Sequence, residues 1–279
     1  MKTSLIFKAS HSAIFSSSFP SYILCSLILV FGASSTFAQS FVWKSISGFD
    51  TAVGELYGFD VDISEEHRVV SAPLAVTDGI NSGAVYVYEK AANGDWINEQ
   101  RIVPSDLTNQ KFFGYSVGVH GDYLIVGARW DAHFGAYSGA GYVYKKGADG
   151  IWGDEQKLLA FDGYTYDQLG HSASIYGDYL VLGAFIDNDS RGSAYLYKRS
   201  VDDSWELDRK LEPASLHQSS RFGDALDLYE DVLVVGASGQ NNYGGAFVYE
   251  RDSLGEWGTA VELEFSNGTT PLTQSTGIA

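Results

Sequence analysis

The chain has 279 residues, 45% hydrophobic and 14% aromatic, which is enough apolar surface for a full core and too much for a disordered segment. Its formal net charge of −17 argues against nucleic acid, anionic membrane or polyphosphate as partners, since each would be repelled. With 31 glycines and 18 tyrosines against 5 prolines and 1 methionine, the composition favours many short strands and tight turns over long helices.

Lys2 and Lys8 precede an apolar run from Tyr22 to Ala33, and Thr36-Phe37-Ala38 offers a small-residue cleavage site before Gln39. Residues 1–38 therefore read as a secretory signal peptide, and the expected location is secreted, at the cell surface or periplasmic. The apolar run is interrupted by Ser26 and is shorter than the roughly 20 residues that span a bilayer. Cys25 is the only cysteine and lies in this leader, preceded by Leu24 where a lipid-anchoring signal would want a small residue. The mature chain is thus expected to have no disulfide, no thiol nucleophile and no Cys-ligated metal. Cleavage would remove two lysines and no acid, taking the net charge from −17 to −19.

Trp43 opens "WKSI", an extra strand near residues 41–47, and an internal repeat follows. "YGFDVDISEEHRVVSA", "FGYSVGVHGDYLIVGA", "LGHSASIYGDYLVLGA" and "FGDALDLYEDVLVVGA" start near residues 57, 113, 169 and 222, each with 14 residues from its first Gly to its final Ala. The second halves, "GAVYVYEKAANGDW", "GAGYVYKKGADGIW", "GSAYLYKRSVDDSW" and "GGAFVYERDSLGEW", hold 8 residues from the last Tyr to the Trp. The unit is 52–56 residues long. Its alternating or apolar runs, typified by Phe113 to Val119, Tyr123 to Ala128, Gly141 to Tyr144 and Trp152 to Leu159, predict four antiparallel strands, with Gly121-Asp122 and Gly177-Asp178 at the first hairpin turn. Such units cannot cover both faces alone. The expected fold is all-β, a β-propeller of about four four-stranded blades over residues 39–265, with a linear stack of sheets as the alternative.

Trp96, Trp152, Trp205 and Trp257 recur at one strand start and are expected to pack between blades. Counting 18 residues from Trp257 reaches Ser275, where a fifth repeat would open, so residues 266–279 read as a tail or the start of a further repeat in an incomplete or truncated ring.

Phe-Gly, an apolar hairpin, Gly-Ala and a Gly-initiated "VYVY" strand together resemble the FG-GAP repeat, the blade unit of integrin-alpha-type propellers and of many secreted microbial proteins, over residues 57–265. The resemblance implies extracellular binding or adhesion. It also implies an Asp-x-Asp-x-Asp-Gly calcium loop between the first two strands, where this chain has only "VHGDY", "IYGDY" and "LYEDV", with too few acids to enclose a hard cation. The remaining calcium candidate is Asp187, Asn188 and Asp189 in "FIDNDSRGSAY", a pattern that an ordinary Asx-rich loop also explains.

Within a unit only the interval from the Ala to the next Gly varies, from 11 residues down to 7, so binding specificity is expected in that loop. In an antiparallel meander it emerges beside the blade-to-blade connection. One face should therefore gather Asp78, Trp130, Asp131, His133, Asp187, Asp189, Arg191, Asn241 and Tyr243, with Asp106, Tyr164, Tyr166 and His217 from the connections. Rings with nearby carboxylates suit carbohydrate or protein ligands. His120 and His171 read as surface or strand-edge residues. The sequence contains no His-Glu-x-x-His and no phosphate-cradling loop, and its one Gly-x-Ser-x-Gly run, Gly114 to Gly118, lies inside the strand expected from Phe113 to Val119 and forms no nucleophile elbow, so the expected function is a non-enzymatic secreted binding or adhesion scaffold. The alternative is a propeller lyase or hydrolase acting on extracellular polysaccharide, and self-association follows if the ring is incomplete. Asn188-Asp189-Ser190 and Asn267-Gly268-Thr269 are sequons that matter only in a glycosylating host.

Overall fold

A computed structural model of the chain describes residues 51–263, all within one compact unit, Ile46–Ala279. The leader with Cys25, the strand at Trp43 and the tail with the Asn267 sequon lie outside the described residues.

Four four-stranded antiparallel sheets follow one another along the chain. Blade 1 contains β1 (Val61–Ile63), β2 (His67–Ala72), β5 (Ala84–Lys90) and β6 (Trp96–Ile102), and the loop after β2 carries a small hairpin of β3 (Val76–Thr77) and β4 (Ile80–Asn81). Blade 2 contains β7 (Phe113–His120), β8 (Tyr123–Ala128), β9 (Ala140–Lys146) and β10 (Trp152–Leu158). Blade 3 contains β11 (Ser172–Tyr176), β12 (Tyr179–Ala184), β13 (Ser193–Arg199) and β14 (Trp205–Leu211). Blade 4 contains β15 (Phe222–Tyr229), β16 (Val232–Ala237), β17 (Gly245–Glu250) and β18 (Val261–Leu263).

The first strands of successive blades touch in the order β1, β7, β11, β15, as expected of strands around a propeller axis, and no comparable contact joins β15 back to β1. Burial follows from this placement. "YLIVGA" and "YLVLGA" are apolar throughout because β8 and β12 are sandwiched between neighbouring blades and buried at every residue. At the outer edge, β10 is buried only at Trp152 and Leu158 and carries charge between them, which guards an open strand edge against pairing.

The blades are joined by glycines, for two different reasons. Gly58, Gly114, Gly170 and Gly223 have φ between 82° and 89°, a left-handed conformation that a side chain strains. At Gly114 and Gly223 the first strand also breaks register with its partner, so this glycine re-aims the strand. The Gly before Ala in blades 2 and 3 has no such φ and is required by space. A Cβ on Gly127 would lie 2.1 Å from the carbonyl oxygen of Gly170 in the next blade, and one on Gly183 would lie 2.1 Å from that of Gly223. The same two carbonyls accept hydrogen bonds from Ser116 Oγ (2.9 Å) and Ser172 Oγ (2.7 Å) of the preceding blade. A single parallel bridge completes each joint: Gly83 with Phe113, Gly139 with Leu169, Gly192 with Phe222.

Further out, the Gln100 side-chain amide exchanges two 2.8 Å hydrogen bonds with the backbone of Trp152, and Gln156 does the same with Trp205. Three of the four recurring tryptophans pack between blades, as their recurrence predicts, and Trp96 lies against Arg68 of its own blade. Trp152, Trp205 and Trp257 stand edge-on to His67, Tyr123 and Tyr179 of the blade before.

Gly183→Ala is expected to lower the unfolding free energy by about 1–3 kcal/mol or more, because the added methyl meets a backbone carbonyl that cannot move without parting two blades. Gly153→Ala, with open space around it, is the control expected to change little. Chemical denaturation of the two variants checks this.

Candidate functional site

The loops after the second strands and the blade-to-blade connections meet at one end of the blades, where the hydrogen bonds between them are made. Tyr166 N donates to Ala136 O and Gln168 N to Tyr137 O, so the loop of blade 2 and the connection from blade 2 to blade 3 form one surface.

The acids on this face divide into two kinds. Asp131 and Asp187, three residues after the final Ala of their repeats, turn inward. Asp131 Oδ2 lies 2.8 Å from Lys111 Nζ, 2.9 Å from Lys157 Nζ and 2.8 Å from the Tyr142 hydroxyl, and Asp106 pairs with both lysines at 2.7 and 2.8 Å. Burial pushes the Asp131 carboxyl up, but the two ammonium groups outweigh it and hold it below the usual carboxylate range. Blade 3 repeats the arrangement, with Asp187 Oδ2 2.7 Å from Lys210 Nζ, 2.6 Å from Ser193 Oγ and 3.2 Å from the Tyr195 hydroxyl. Burial lowers the Lys210 ammonium and its carboxylate partners Asp162 and Asp187 raise it further, for a net rise above the ordinary lysine value. These are neutralised struts beneath the loops. Tyr142 and Tyr195, each donating to two carboxylates, are part of them.

In the calcium candidate, Asp187 pairs with Lys210, while Asn188 and Asp189 adopt left-handed φ of 52° and 58° in an exposed turn. Among the described residues no group of three or more His, Cys, Asp or Glu side chains is placed to hold a metal ion.

Of the other predicted residues, Asp78 sits exposed at the turn of the blade 1 hairpin, and Asp189 and Arg191 lie exposed on blade 3. On blade 4, Asn241 N donates to His217 Nε2 at 2.8 Å and Tyr243 is fully outward. Trp130 and His133 enter a larger cluster. Rings follow one another from Phe112 to Trp130 (4.2 Å between centroids), Tyr137 (4.9 Å) and Tyr166 (5.6 Å), with exposed Phe134 against His133 (4.7 Å).

Arg129 is the residue that sequence reasoning missed. Its guanidinium lies 3.8 Å above the Tyr115 ring and 5.4 Å from that of Trp130, with Nη1 3.5 Å from His171 Nδ1. His171, expected to be an ordinary strand-edge residue, stacks on Phe185 at 4.0 Å and reaches Asp224 at 3.1 Å from Nε2. Burial lowers the Arg129 pKa from its ordinary value. Among the described residues no carboxylate pairs with Arg129, although Lys111, Lys157 and Lys210 on the same face each bind two or three. A sequence signal did exist. The register that holds Arg129 is Pro73, Phe185 and Ser238 in the other repeats, so packing does not dictate it.

Asp167, buried where the connection turns, accepts from Tyr164 N, and loss of solvent pushes its pKa up to about 6.

Lys210→Met is expected to lower the unfolding free energy by about 3–5 kcal/mol, since it leaves the buried Asp187 without its cation; a thermal melt at neutral pH checks it. For Asp167 the folded chain holds the proton more tightly than the unfolded chain, whose carboxyl titrates near the ordinary value. Folding thus takes up a proton between about pH 6 and pH 4, and the carboxylate's penalty, full above that window, disappears as pH falls through it. Asp167→Asn should therefore melt higher than the parent at pH 7, with the gap closing by about pH 4.

The FG-GAP repeat family matches the chain at residues 44–88, 96–144 and 152–197. Two of the three segments begin at a blade's outer-strand tryptophan, Trp96 and Trp152, and end at the tyrosine of the next blade's third strand, Tyr144 and Tyr197, so the family unit straddles the glycine joint. No curated protein matches the chain. Among the described residues no helix is long and apolar enough to cross a membrane. With the matched repeats covering half its length and four blades of one design in its structure, the chain belongs to the FG-GAP repeat family and is built as propeller blades.

Proposed function

We propose that the protein is a secreted, non-enzymatic binding module that takes a carbohydrate or protein ligand on the loop face of blades 2 and 3, with Arg129 meeting an anionic group of that ligand. The observation that carries this reading is the half-buried guanidinium of Arg129, flanked by aromatic rings and lacking an acidic partner among the described residues, in a chain of net charge −17. An arginine on such an acidic protein would ordinarily be neutralised within it. Stacking on Tyr115 fixes the plane of the guanidinium, His171 lies against Nη1, and the remaining terminal N–H groups suit a planar carboxylate or a sulfate.

The neighbouring rings supply the apolar part of the contact. Phe134 and Tyr166 are exposed, and Trp130 and Tyr137 are half-buried beside them. Aromatic faces at this spacing cover a sugar ring or an apolar side chain, and such rings are the residues that dominate binding energy at interfaces. The acidic struts support the reading indirectly. Asp131 and Asp187 are spent on lysines, so they hold the loops in place and the rings and the arginine are left to face outward.

Binding of a uronate-rich polysaccharide such as polygalacturonate, measured against neutral dextran, tests the proposal. The expected result is preference for the acidic polymer, reduced roughly tenfold or more by Tyr166→Ala and by Arg129→Met, with unchanged melting temperatures. Equal binding of both polymers, unaltered by Arg129→Met, would remove the anionic contact from the reading. Release of new reducing ends by the purified chain would replace the binder with the polysaccharide-acting enzyme.

A further inference from the structure

The glycine joint occurs three times inside the chain, and each end of the blade series holds half of another. On blade 4, Gly236 and Gly244 stand where Gly183 and Gly192 stand on blade 3, yet a Cβ on either would come no closer than 3.4 Å to any atom, and those atoms belong to blade 4 itself. On blade 1, Gly58 keeps the φ of +88° and has nothing within 4 Å, whereas a Cβ on Gly170 or Gly223 would lie 2.4 Å from a carbonyl of the preceding blade. Gly58 and Gly244 are explained by their positive φ, but Gly236 has neither such a φ nor a close neighbour, and a glycine that nothing requires costs stability.

The apolar residues around these half-joints are exposed in the same pattern. Val234 is 37% exposed, although Ile125 and Val181 in its register are fully buried, and Leu263 is 52% exposed against 3% and 6% for Leu158 and Leu211. On the opposite end, Val61 and Ile63 are each 55% exposed, against 3% and 4% for Val117 and Val119. The charges at the rim complement each other too. Glu89 of blade 1 pairs with Lys146 of blade 2 at 2.9 Å, and the same two registers are held by Glu250 on blade 4 and Lys90 on blade 1, both exposed.

We propose that a second copy of this chain fills both half-joints: blade 4 of each copy docks on blade 1 of the other, closing one eight-bladed ring with two-fold symmetry. The new interface is continuous with the established blade-to-blade interface, using the same glycines, the same apolar registers and a Glu250–Lys90 pair in place of Glu89–Lys146. It departs from the internal joints at three points: Ala225 stands in the register of Ser116 and Ser172, Val232 in that of the rings of His67, Tyr123 and Tyr179, and Val261 in that of the amide clamp of Gln100 and Gln156. Head-to-tail faces close into a ring when the rotation divides a full turn and otherwise run on into filaments, and propellers reach about eight blades. This inference is independent of the ligand proposed for the loop face.

Sedimentation velocity on the full chain at tens of micromolar is the test, with circular dichroism to confirm folding. The expected species has twice the 30.4 kDa chain mass. Val234→Glu and Ile63→Lys should each give folded monomers. Mixing the two should restore a dimer, because one joint then pairs the introduced carboxylate with the introduced ammonium and the other joint is unaltered. If either variant fails to fold, Glu250→Lys and Lys90→Glu serve instead: each raises the dimer Kd by about fivefold, and both on one chain restore it. A wild-type monomer would overturn the proposal, as would a dimer indifferent to Ile63→Lys or an open series of oligomers. So would a monomer that dimerises only after removal of residues 264–279, which would mean that the chain's own tail covers blade 4.

Discussion

Close approach of backbone to backbone at the blade joints is the constraint on which the rest of this structure depends. Where Gly127 faces Gly170 and Gly183 faces Gly223 there is no room for a single methyl group, so two sheets come together at a fixed point near the axis. With that point fixed, the flanking registers fill at native density. Tyr142 and Tyr195 become fully buried, the tryptophans stand edge-on to the blade before, and serine hydroxyls and glutamine amides satisfy the backbone groups that the joint leaves without ladder partners. Apolar burial supplies most of the stabilisation, and the glycines decide where it happens.

Burying tyrosine in those registers creates a second requirement. A phenolic hydroxyl inside a joint needs an acceptor, and in blades 2 and 3 that acceptor is an aspartate, which in turn needs a cation. The Asp-Tyr-Lys set is therefore a consequence of the packing. Blade 4, with Phe247 in the tyrosine register, has no hydroxyl to satisfy, and Gln240 stands where the aspartate would be, bonded to Ser220 and Glu262 instead. In blade 4 a neutral amide thus replaces the aspartate where the phenol is gone.

A repeated frame lets residues that serve packing be told from residues that do not. Glycine, tyrosine and tryptophan return in every blade because every joint makes the same demand. Arg129 replaces Pro73, Phe185 and Ser238 in its register, and His171 replaces Phe59, Tyr115 and Asp224 in another. Both lie on the loop face, and neither substitution is required by the joint. A ligand face assembled this way can change without disturbing the frame that carries it.

The sequence by itself determined the number of repeats seen here, their four strands, the hairpin turn at Gly121 and Gly177, and the packing role of the tryptophans, because all of these are local patterns repeated at constant spacing. Its candidate site was legible only as a face. Which acids face the ligand and which lie beneath it was decided by tertiary structure. The aspartate at 187 looks like a turn residue until Lys210, on a strand two elements away, is folded against it, and Asp131 until Lys111 and Lys157 close from both sides. Arg129 acquired its meaning in the same way, since Tyr115 lies beneath it and His171 arrives from the next blade. Periodicity reports what each blade repeats. The direction of a side chain and its neighbours across a joint some 50 residues distant in sequence depend on how closely two backbones approach, and that distance exists only in the folded chain.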